Sequence, residues 1–462
     1  MVKITTIRSA GLAHLSYFVS SKSEAMVIDP RRDCDIYVEL ANSEEANIVN
    51  IFETHRNEDY VTGSLELQEL VPNSRIGHSN ATNFGFGDDS ISDEESFRVG
   101  EIRITALQTP GHTNDSICYA VSDSSMGPDI LVLFTGDTLF VNEVGRTDLV
   151  DLKKHEAMSR RLWHSLHERI LPLGDGVIIY PGHGAGSVCG GAIGRRDFST
   201  IGYESRNNIW LAMEEEEFVQ TKMKQKLTKA SYFKRCEALN TNGPPLLADL
   251  PPLEHFKINA FEETASSDNC VILDTRPATS FAQEHIPGSI SLDMNRLGLS
   301  AGWVLSKENQ FLFILESLVY LQEACGMLYR VGLDSIVGYL GGGYATWKNS
   351  GKKSNSLPIY RLEEISKGLS DKSLQLVDVR QPHETEVNYI AGSLFAPLSM
   401  INENIPSLDK NIPIVTICQA GVRSTTAASI LKRVGFSEVG VTESGMDDWM
   451  ARGYPMGFNL NG

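Results

Sequence analysis

The chain has 462 residues, room for about three domains at roughly 150 residues each, and its 41% apolar and 22% charged make-up is that of a folded protein with several cores. Acidic residues outnumber basic ones 59 to 41, and the resulting formal charge of -18 repels phosphate backbones and anionic lipid. Nucleic acid and membrane are therefore excluded as default partners, whereas a small anion is admissible where a local basic pocket receives it.

Taken in chain order, the opening MVKITTIRSAGLAHLSYFV alternates like a strand and has neither a signal-peptide core nor a cleavage site. No apolar run approaches the roughly 20 residues of a membrane helix. Short β-rich runs follow up to residue 190, among them Met26-Val27-Ile28, Ile48 to Phe52, Ile130 to Phe134 and Val177 to Tyr180. The last three lead into polar loops with His or Asp, as in layered α/β folds whose loops at one sheet edge hold the site. Residues 204–230 read as one helix, with Glu214 to Glu217 as a solvated face. The proline-rich NGPPLLADLPPLEHF then reads as a linker. Beyond it the sequence repeats itself: VILDTR (Asp274, Arg276) returns as QLVDVR (Asp378, Arg380), Gly288 matches Gly392, and Trp347 matches Trp449. A period this long means two globular units. The expected domains are 1–243, 244–357 and 358–462. Seven scattered cysteines without a CxxC (Cys34, Cys118, Cys189, Cys236, Cys270, Cys325, Cys418) predict reduced thiols and a cytoplasmic location.

Four loops carry the candidate chemistry of the first domain: ETHRNEDYVTG (53–63), TPGHTNDS (109–116), FTGDTLF (134–140) and YPGHGAGSVCGG (180–191). Their order resembles the metallo-β-lactamase superfamily over roughly the first 200 residues. Dinuclear hydrolases of that superfamily carry HxHxDH in the first loop. Here Asn57 and Tyr60 replace two of its imidazoles, so each zinc of a pair lacks a ligand. His55, His112 and Asp137 remain, two histidines and a carboxylate with open positions, the pattern of non-haem Fe(II) oxygenases. They match the iron ligands of the persulfide dioxygenase branch, and the resemblance implies one Fe(II) per chain. It also makes His183, on the superfamily's second-metal position, and Arg146, in GRTD, candidates for substrate binding. His183 reads equally as a hydrogen-bonded loop histidine. Arg146 would pair with a carboxylate or phosphate of the thiol carrier, or else with Asp148. Cys189, in GSVCGG, is a candidate catalytic thiol by the same resemblance and otherwise a buried inert one. Asp59 is expected to brace its loop through backbone amides. The other histidines (His14, His78, His155, His164, His167, His255, His383) are surface or packing residues.

In the last domain IVTICQAGVRSTTAASILKRV places Cys418 at a strand end, followed by a turn into a helix. The segment resembles the rhodanese active-site loop, a likeness extending over residues 358–458. Sulfur transfer needs a thiolate, which inward loop amides and a helix N-terminus stabilise. Gly421 would shape the cradle for bound sulfur, and Arg423 would offer a fixed positive charge. The middle copy has Ile314 or Leu315 opposite Cys418, with no glycine turn and no loop arginine, so it reads as scaffold, spacer or oligomer contact. Cys325 lies within its expected helix.

The expected fold class is α/β, an N-terminal αββα metallo-β-lactamase-type sandwich followed by two rhodanese-like domains with parallel sheets. The resemblance implies an Fe(II) persulfide dioxygenase joined to a thiosulfate sulfurtransferase in a sulfide-detoxifying, homo-oligomeric enzyme. Its partners would be dioxygen and a persulfide of glutathione, coenzyme A or a similar thiol, with sulfite and thiosulfate as products. The alternatives are a zinc thioesterase like glyoxalase II with an attached rhodanese, and a non-catalytic persulfide sensor.

Overall fold

The computed structural model describes residues 2–457 apart from 10, 226, 404 and 406. The chain divides into two units, one comprising Met1–Leu250 with Tyr329–Gly332 and one comprising Pro251–Leu328 with Leu333–Gly462.

The first unit is built on two six-stranded sheets. One runs in chain order through β1 (Lys3–Ser9), β2 (His14–Ser21), β3 (Glu24–Ile28), β4 (Asn47–Phe52), β5 (Arg75–Ser79) and β6 (Asp89–Ile91). The other holds β7 (Ser96–Val99), β8 (Ile102–Gln108), β9 (Ile117–Asp123), β10 (Ile130–Gly136), β11 (Ile178–Pro181) and β12 (Ser199–Thr200), adjacent in that order. Alternation along the strands divides the side chains between two faces. Tyr17, Val19, Met26, Ile28 and Phe52 meet Ile104, Ile117, Tyr119, Val121 and Phe134 between the sheets. On the outer face of the first sheet, Phe18, Val27 and Ile51 pack with Tyr37 and Ala41 of the helix Asp35–Ser43 and Leu67 of the helix Ser64–Leu70. On the outer face of the second, Ala120, Leu133 and Ile179 pack with Leu162 of the helix His155–His164 and Phe218 of the helix Glu215–Lys224. The result is the expected αββα sandwich.

β4 and β11 each pair in parallel with a neighbour, β4 with β3 and β11 with β10. The four candidate loops begin where β4, β8, β10 and β11 end.

Residues 204–230 are not one helix. The helix Ile201–Asn207 stops where Asn208 turns extended and its side chain accepts from Trp210 N. A second helix, Glu215–Lys224, begins after an extended Glu214, and Phe233–Asn242 forms a third. Periodicity carries through such breaks because capping is a local hydrogen-bond event. Arg160 pairs with Glu215 and Glu216 at the surface.

His78 on β5 is buried, stacked on Phe84 with ring centroids 4.1 Å apart, and neither ring nitrogen has a hydrogen-bond partner. Burial pulls it down to about 4 from 6.5. The unfolded chain therefore takes up a proton that the folded one refuses, so stability is full above pH 6.5 and falls as the pH drops from 6.5 to about 4, below which both states hold the proton. His78→Phe is expected to flatten that acid limb by about 3 kcal/mol, read by denaturant unfolding between pH 4 and 7.

The second unit contains two five-stranded parallel sheets. The middle repeat supplies β13 (Glu254–Phe256), β14 (Cys270–Asp274), β15 (Ile290–Ser291), β16 (Gln310–Ile314) and β17 (Ile336–Leu340), in the order β13-β17-β16-β14-β15. The last repeat supplies β18 (Ile359–Tyr360), β19 (Gln375–Asp378), β20 (Tyr389–Ile390), β21 (Leu394–Phe395), β22 (Ile414–Ile417), β23 (Val439–Thr442) and β24 (Met456–Gly457). Its main sheet, β18-β23-β22-β19-β21, repeats the same topology, with β20 and β24 pairing separately.

The repeated residues do the same work twice. Arg276 forks onto Asp274 and Arg380 onto Asp378, and each guanidinium also donates 2.8 Å to a backbone carbonyl eight residues on, Glu284 or Asn388. Trp347 Nε1 donates to Lys353 O (3.0 Å) as Trp449 Nε1 does to Pro455 O (3.1 Å). The two repeats are packed together: Ser291 N donates to Ser429 Oγ (3.1 Å), and Arg433 donates to Gly288 O (2.8 Å) and Cys270 O (3.0 Å). That packing makes one compact unit of the segments expected as two domains. Among the described residues no helix is long and apolar enough to cross a membrane.

Candidate metal centre and sulfur-transfer loop

The loop after β4 fixes His55 from behind. Thr54 donates through N (2.8 Å) and Oγ1 (2.7 Å) to Asp29, and the same hydroxyl lies 2.9 Å from His55 Nδ1. A hydroxyl that donates to Asp29 accepts from Nδ1, which leaves the Nε2 lone pair free. His112 is set likewise, its Nδ1 2.9 Å from Arg146 O, a group that only accepts. Gly145 permits this approach, since a Cβ there would meet Asp137 O at 2.0 Å and His112 Cβ at 3.1 Å. The freed nitrogens converge on Asp137 Oδ2, His112 Nε2 at 3.5 Å and His55 Nε2 at 3.9 Å. All three side chains are buried, and none of these three atoms has a hydrogen-bond partner. Buried polar atoms are ordinarily satisfied. Orphaned donor atoms of two imidazoles and a carboxylate, all within 4.8 Å of one another, fit a cation.

Glu58 is the residue that sequence reasoning missed. It is buried, with Oε2 3.4 Å from His112 Nε2 and 3.9 Å from His55 Nε2, and that oxygen also lacks a hydrogen-bond partner. Burial alone would raise Glu58, but the positive charge of His112 holds it down near 2. Burial likewise would lower His112, and the charge of Glu58 lifts it to about 9. The position of Glu58 within HxHxDH belongs to no ligand, so the pattern gave no reason to single it out.

Asp59 departs from the expectation of backbone bracing: its Oδ2 lies 2.9 Å from His183 Nε2. His183 Nδ1 lies 2.7 Å from Asp137 Oδ1, so the fully buried imidazole sits between two carboxylates. Burial would lower it, but Asp137 and Asp59 raise it well above its usual value. Asp59, His183 and Cys189 form a second cluster of ligand-type atoms. Asn57 turns its amide back to His55 O (3.1 Å), and the Tyr60 ring stacks on His14 with centroids 3.8 Å apart. Cys189 is fully buried beside Phe140 and Ile193, its Sγ 3.4 Å from Glu58 Oε1. Burial, then the carboxylates of Asp59 and Glu58, push that thiol far up.

Arg146 is placed where it serves the fold. It is 1% exposed, and its donors go to Asp148 (2.7 and 2.8 Å) and to the carbonyls of Val188, Thr228 and Leu227 (3.0, 3.2 and 3.2 Å). That uses every guanidinium N–H and leaves none for a carrier's anion. The bond to Val188 steadies the loop of Cys189. Arg146→Ala is expected to cost about 3–5 kcal/mol by stranding Asp148, read as a lowered unfolding midpoint.

In the second unit Cys418 follows β22 and is buried. Gly421 N donates to its Sγ at 3.1 Å, and Ser424 Oγ lies 3.7 Å away. Gly421 has φ +90, a left-handed backbone that favours glycine, and it caps the helix Val422–Arg433. The thiol therefore meets a loop amide at a helix N-terminus. Arg423 is engaged by Glu384 in a two-pronged pair, with one distance of 2.8 Å. In the middle repeat Leu315 follows β16 where Cys418 follows β22, and Cys325 is buried in the helix Leu321–Tyr329.

Residues 10–183 match the Metallo-beta-lactamase superfamily, and residues 258–350 and 361–452 each match the Rhodanese-like domain. Probable hydroxyacylglutathione hydrolase glo2 of Schizosaccharomyces pombe is 31% identical over 156 residues, 34% of this chain, which spans 56% of that protein. Persulfide dioxygenase ETHE1, mitochondrial, of Bos taurus is 30% identical over 216 residues, covering 45% of this chain and 74% of that one. The chain belongs to the ETHE1 family. A crystal structure of a metallo-beta-lactamase from Staphylococcus aureus subsp. aureus COL covers 73% of this chain and 99% of its own, at 27% identity and a TM-score of 0.66. This ETHE1 relative thus joins a metallo-beta-lactamase fold, with a His/Asp cluster that could hold a metal ion, to two rhodanese-like domains.

Proposed function

We propose that this ETHE1 relative is an Fe(II) persulfide dioxygenase joined to a sulfurtransferase. The reading is carried by the convergence of His55 Nε2, His112 Nε2 and Asp137 Oδ2, orphaned and buried, while Asn57 and Tyr60 are turned to other partners. Those three residues would hold a ferrous ion, which would supply redox chemistry between dioxygen and sulfur. One persulfide, one dioxygen and one water then give one thiol, one sulfite and two protons. The chain's own groups prepare the site. The Arg146 carbonyl and Thr54 hydroxyl aim the imidazoles, Glu58 adds negative charge beside them, and Phe140 and Ile193 keep water from Cys189. Cys418 carries sulfane sulfur as a persulfide cradled by Gly421 N, passing it to sulfite to give thiosulfate or running in reverse. All seven cysteines are buried and unpaired, which supports work in a reducing compartment such as the cytoplasm.

The second reading, a zinc thioesterase with an attached rhodanese, is favoured by the Asp59, His183 and Cys189 cluster beside Asp137, and by relatives named hydroxyacylglutathione hydrolases. Metal content of protein purified without added metal decides, together with dioxygen uptake on glutathione and coenzyme A persulfides. About one iron per chain, with oxygen consumed and sulfite formed, supports the dioxygenase. Two zinc ions per chain and thioester cleavage without oxygen consumption overturn it.

A further inference from the structure

An arginine from each repeat lies within electrostatic reach of Cys418. Arg423, on the cysteine's own loop, is neutralised by its paired Glu384. Arg296 lies on the middle repeat, in the turn Met294–Arg296 that leads into the helix Leu297–Val304. It is exposed, and among the described residues its guanidinium has no hydrogen bond or ion pair. Cys418, Arg423 and Glu384 all lie within electrostatic reach of it. Partial burial and the nearby Arg423 lower Arg296, while Cys418, Glu384 and Asp293 act in the opposite direction.

Its position is fixed by packing. The helix after it is buried along nearly its whole length and lies against the turn Leu398–Met400 of the last repeat, where Asn402 Nδ2 donates to Val304 O at 2.7 Å. The helix Val422–Arg433, which begins at the Cys418 loop, packs against β15, three residues before that turn. The contacts Ser291 to Ser429 and Arg433 to Gly288 lock the register.

We propose that Arg296, on the repeat that lacks a cysteine, is the guanidinium that receives the anionic sulfur donor or acceptor at Cys418. The middle repeat is then part of the sulfurtransferase site as well as a support for it. The inference rests on reading Cys418 as the sulfur carrier. With thiosulfate, the Cys418 thiolate attacks the sulfane sulfur. The Sγ–S bond forms, the bond to the sulfonate sulfur breaks, and sulfite leaves with the electron pair. Cyanide then takes the terminal sulfur as thiocyanate and returns the thiolate. Both the entering and the leaving partner are dianions, which a free guanidinium recognises and an already paired Arg423 does not.

The test uses the full-length holoprotein and thiosulfate:cyanide transfer. Arg296→Ala is expected to raise KM for thiosulfate about 10-fold with a smaller change in kcat, the loss of one charge-assisted contact, and Arg296→Lys to recover most of it. A second measurement compares alkylation of Cys418 by iodoacetate and by neutral iodoacetamide, with Cys418→Ser as the blank. Arg296→Ala should slow the anion selectively. Unchanged KM and an unchanged iodoacetate-to-iodoacetamide ratio overturn the proposal. If wild type transfers no sulfur to cyanide, the reading of Cys418 fails, and the alkylation ratio still decides whether Arg296 attracts anions there.

Discussion

Dioxygen uptake by a His112→Ala variant on glutathione persulfide is expected to fall more than about 100-fold, because outer partners of a metal ligand alone are worth 10–100-fold and this is a ligand itself. Iron content should fall with it. His112 is wholly buried, its Nδ1 is spent on Arg146 O, and its Nε2 faces both Asp137 and Glu58. Deleting the ring leaves His55 and Asp137 as the remaining members of the set and strands two buried carboxylates near each other. Their repulsion raises the cost of binding no cation at all, so a lowered unfolding midpoint is expected in the same variant. Glu58→Gln separates these effects: it removes one of the two charges and keeps His55, His112 and Asp137. A His112→Ala protein that retains wild-type iron and uptake would place the oxygen chemistry elsewhere and end the assignment.

Much of this site is legible in the sequence because the information is local. An apolar strand that stops at Phe52, Gly136 or Pro181 delivers the next few residues to one edge of the sandwich, so His55, Asp137 and His183 gather without knowledge of the packing. The duplicated Asp-x-Arg is legible for the same reason, since each fork closes within three residues. What is not legible depends on direction or on distance along the chain. Glu58 could face solvent from its loop position, and only the path of residues 53–63 turns it onto the imidazoles. Arg146 reads as a substrate-binding residue until Leu227 and Thr228, some 80 residues later, are seen to take its N–H groups. The break at Asn208 interrupts a helical pattern that hydrophobic spacing alone carries on to residue 230. Arg296 is separated from Cys418 by more than a hundred residues, and no motif joins them.

The second large effect is expected from Cys418→Ser. Transfer of sulfur from thiosulfate to cyanide should drop by more than about 1,000-fold, in the range that loss of a nucleophile costs an enzyme. A serine hydroxyl occupies nearly the same buried volume and can still accept from Gly421 N, so the loop and the helix Val422–Arg433 keep their places. What is lost is the polarisable anion able to form and release an S–S bond. Dioxygen uptake with persulfide should persist within about twofold, because none of His55, His112, Asp137 and Glu58 depends on this thiol for its hydrogen bonds. The product should shift from thiosulfate toward sulfite, since sulfite made at the metal centre no longer meets sulfane sulfur on Cys418. A variant whose product ratio stays at the wild-type value would mean that thiosulfate arises by another route, with the two chemistries sharing a chain but no sulfur. A variant that loses oxygen uptake along with transfer would mean instead that Cys418 feeds the metal centre, the reverse direction of flow.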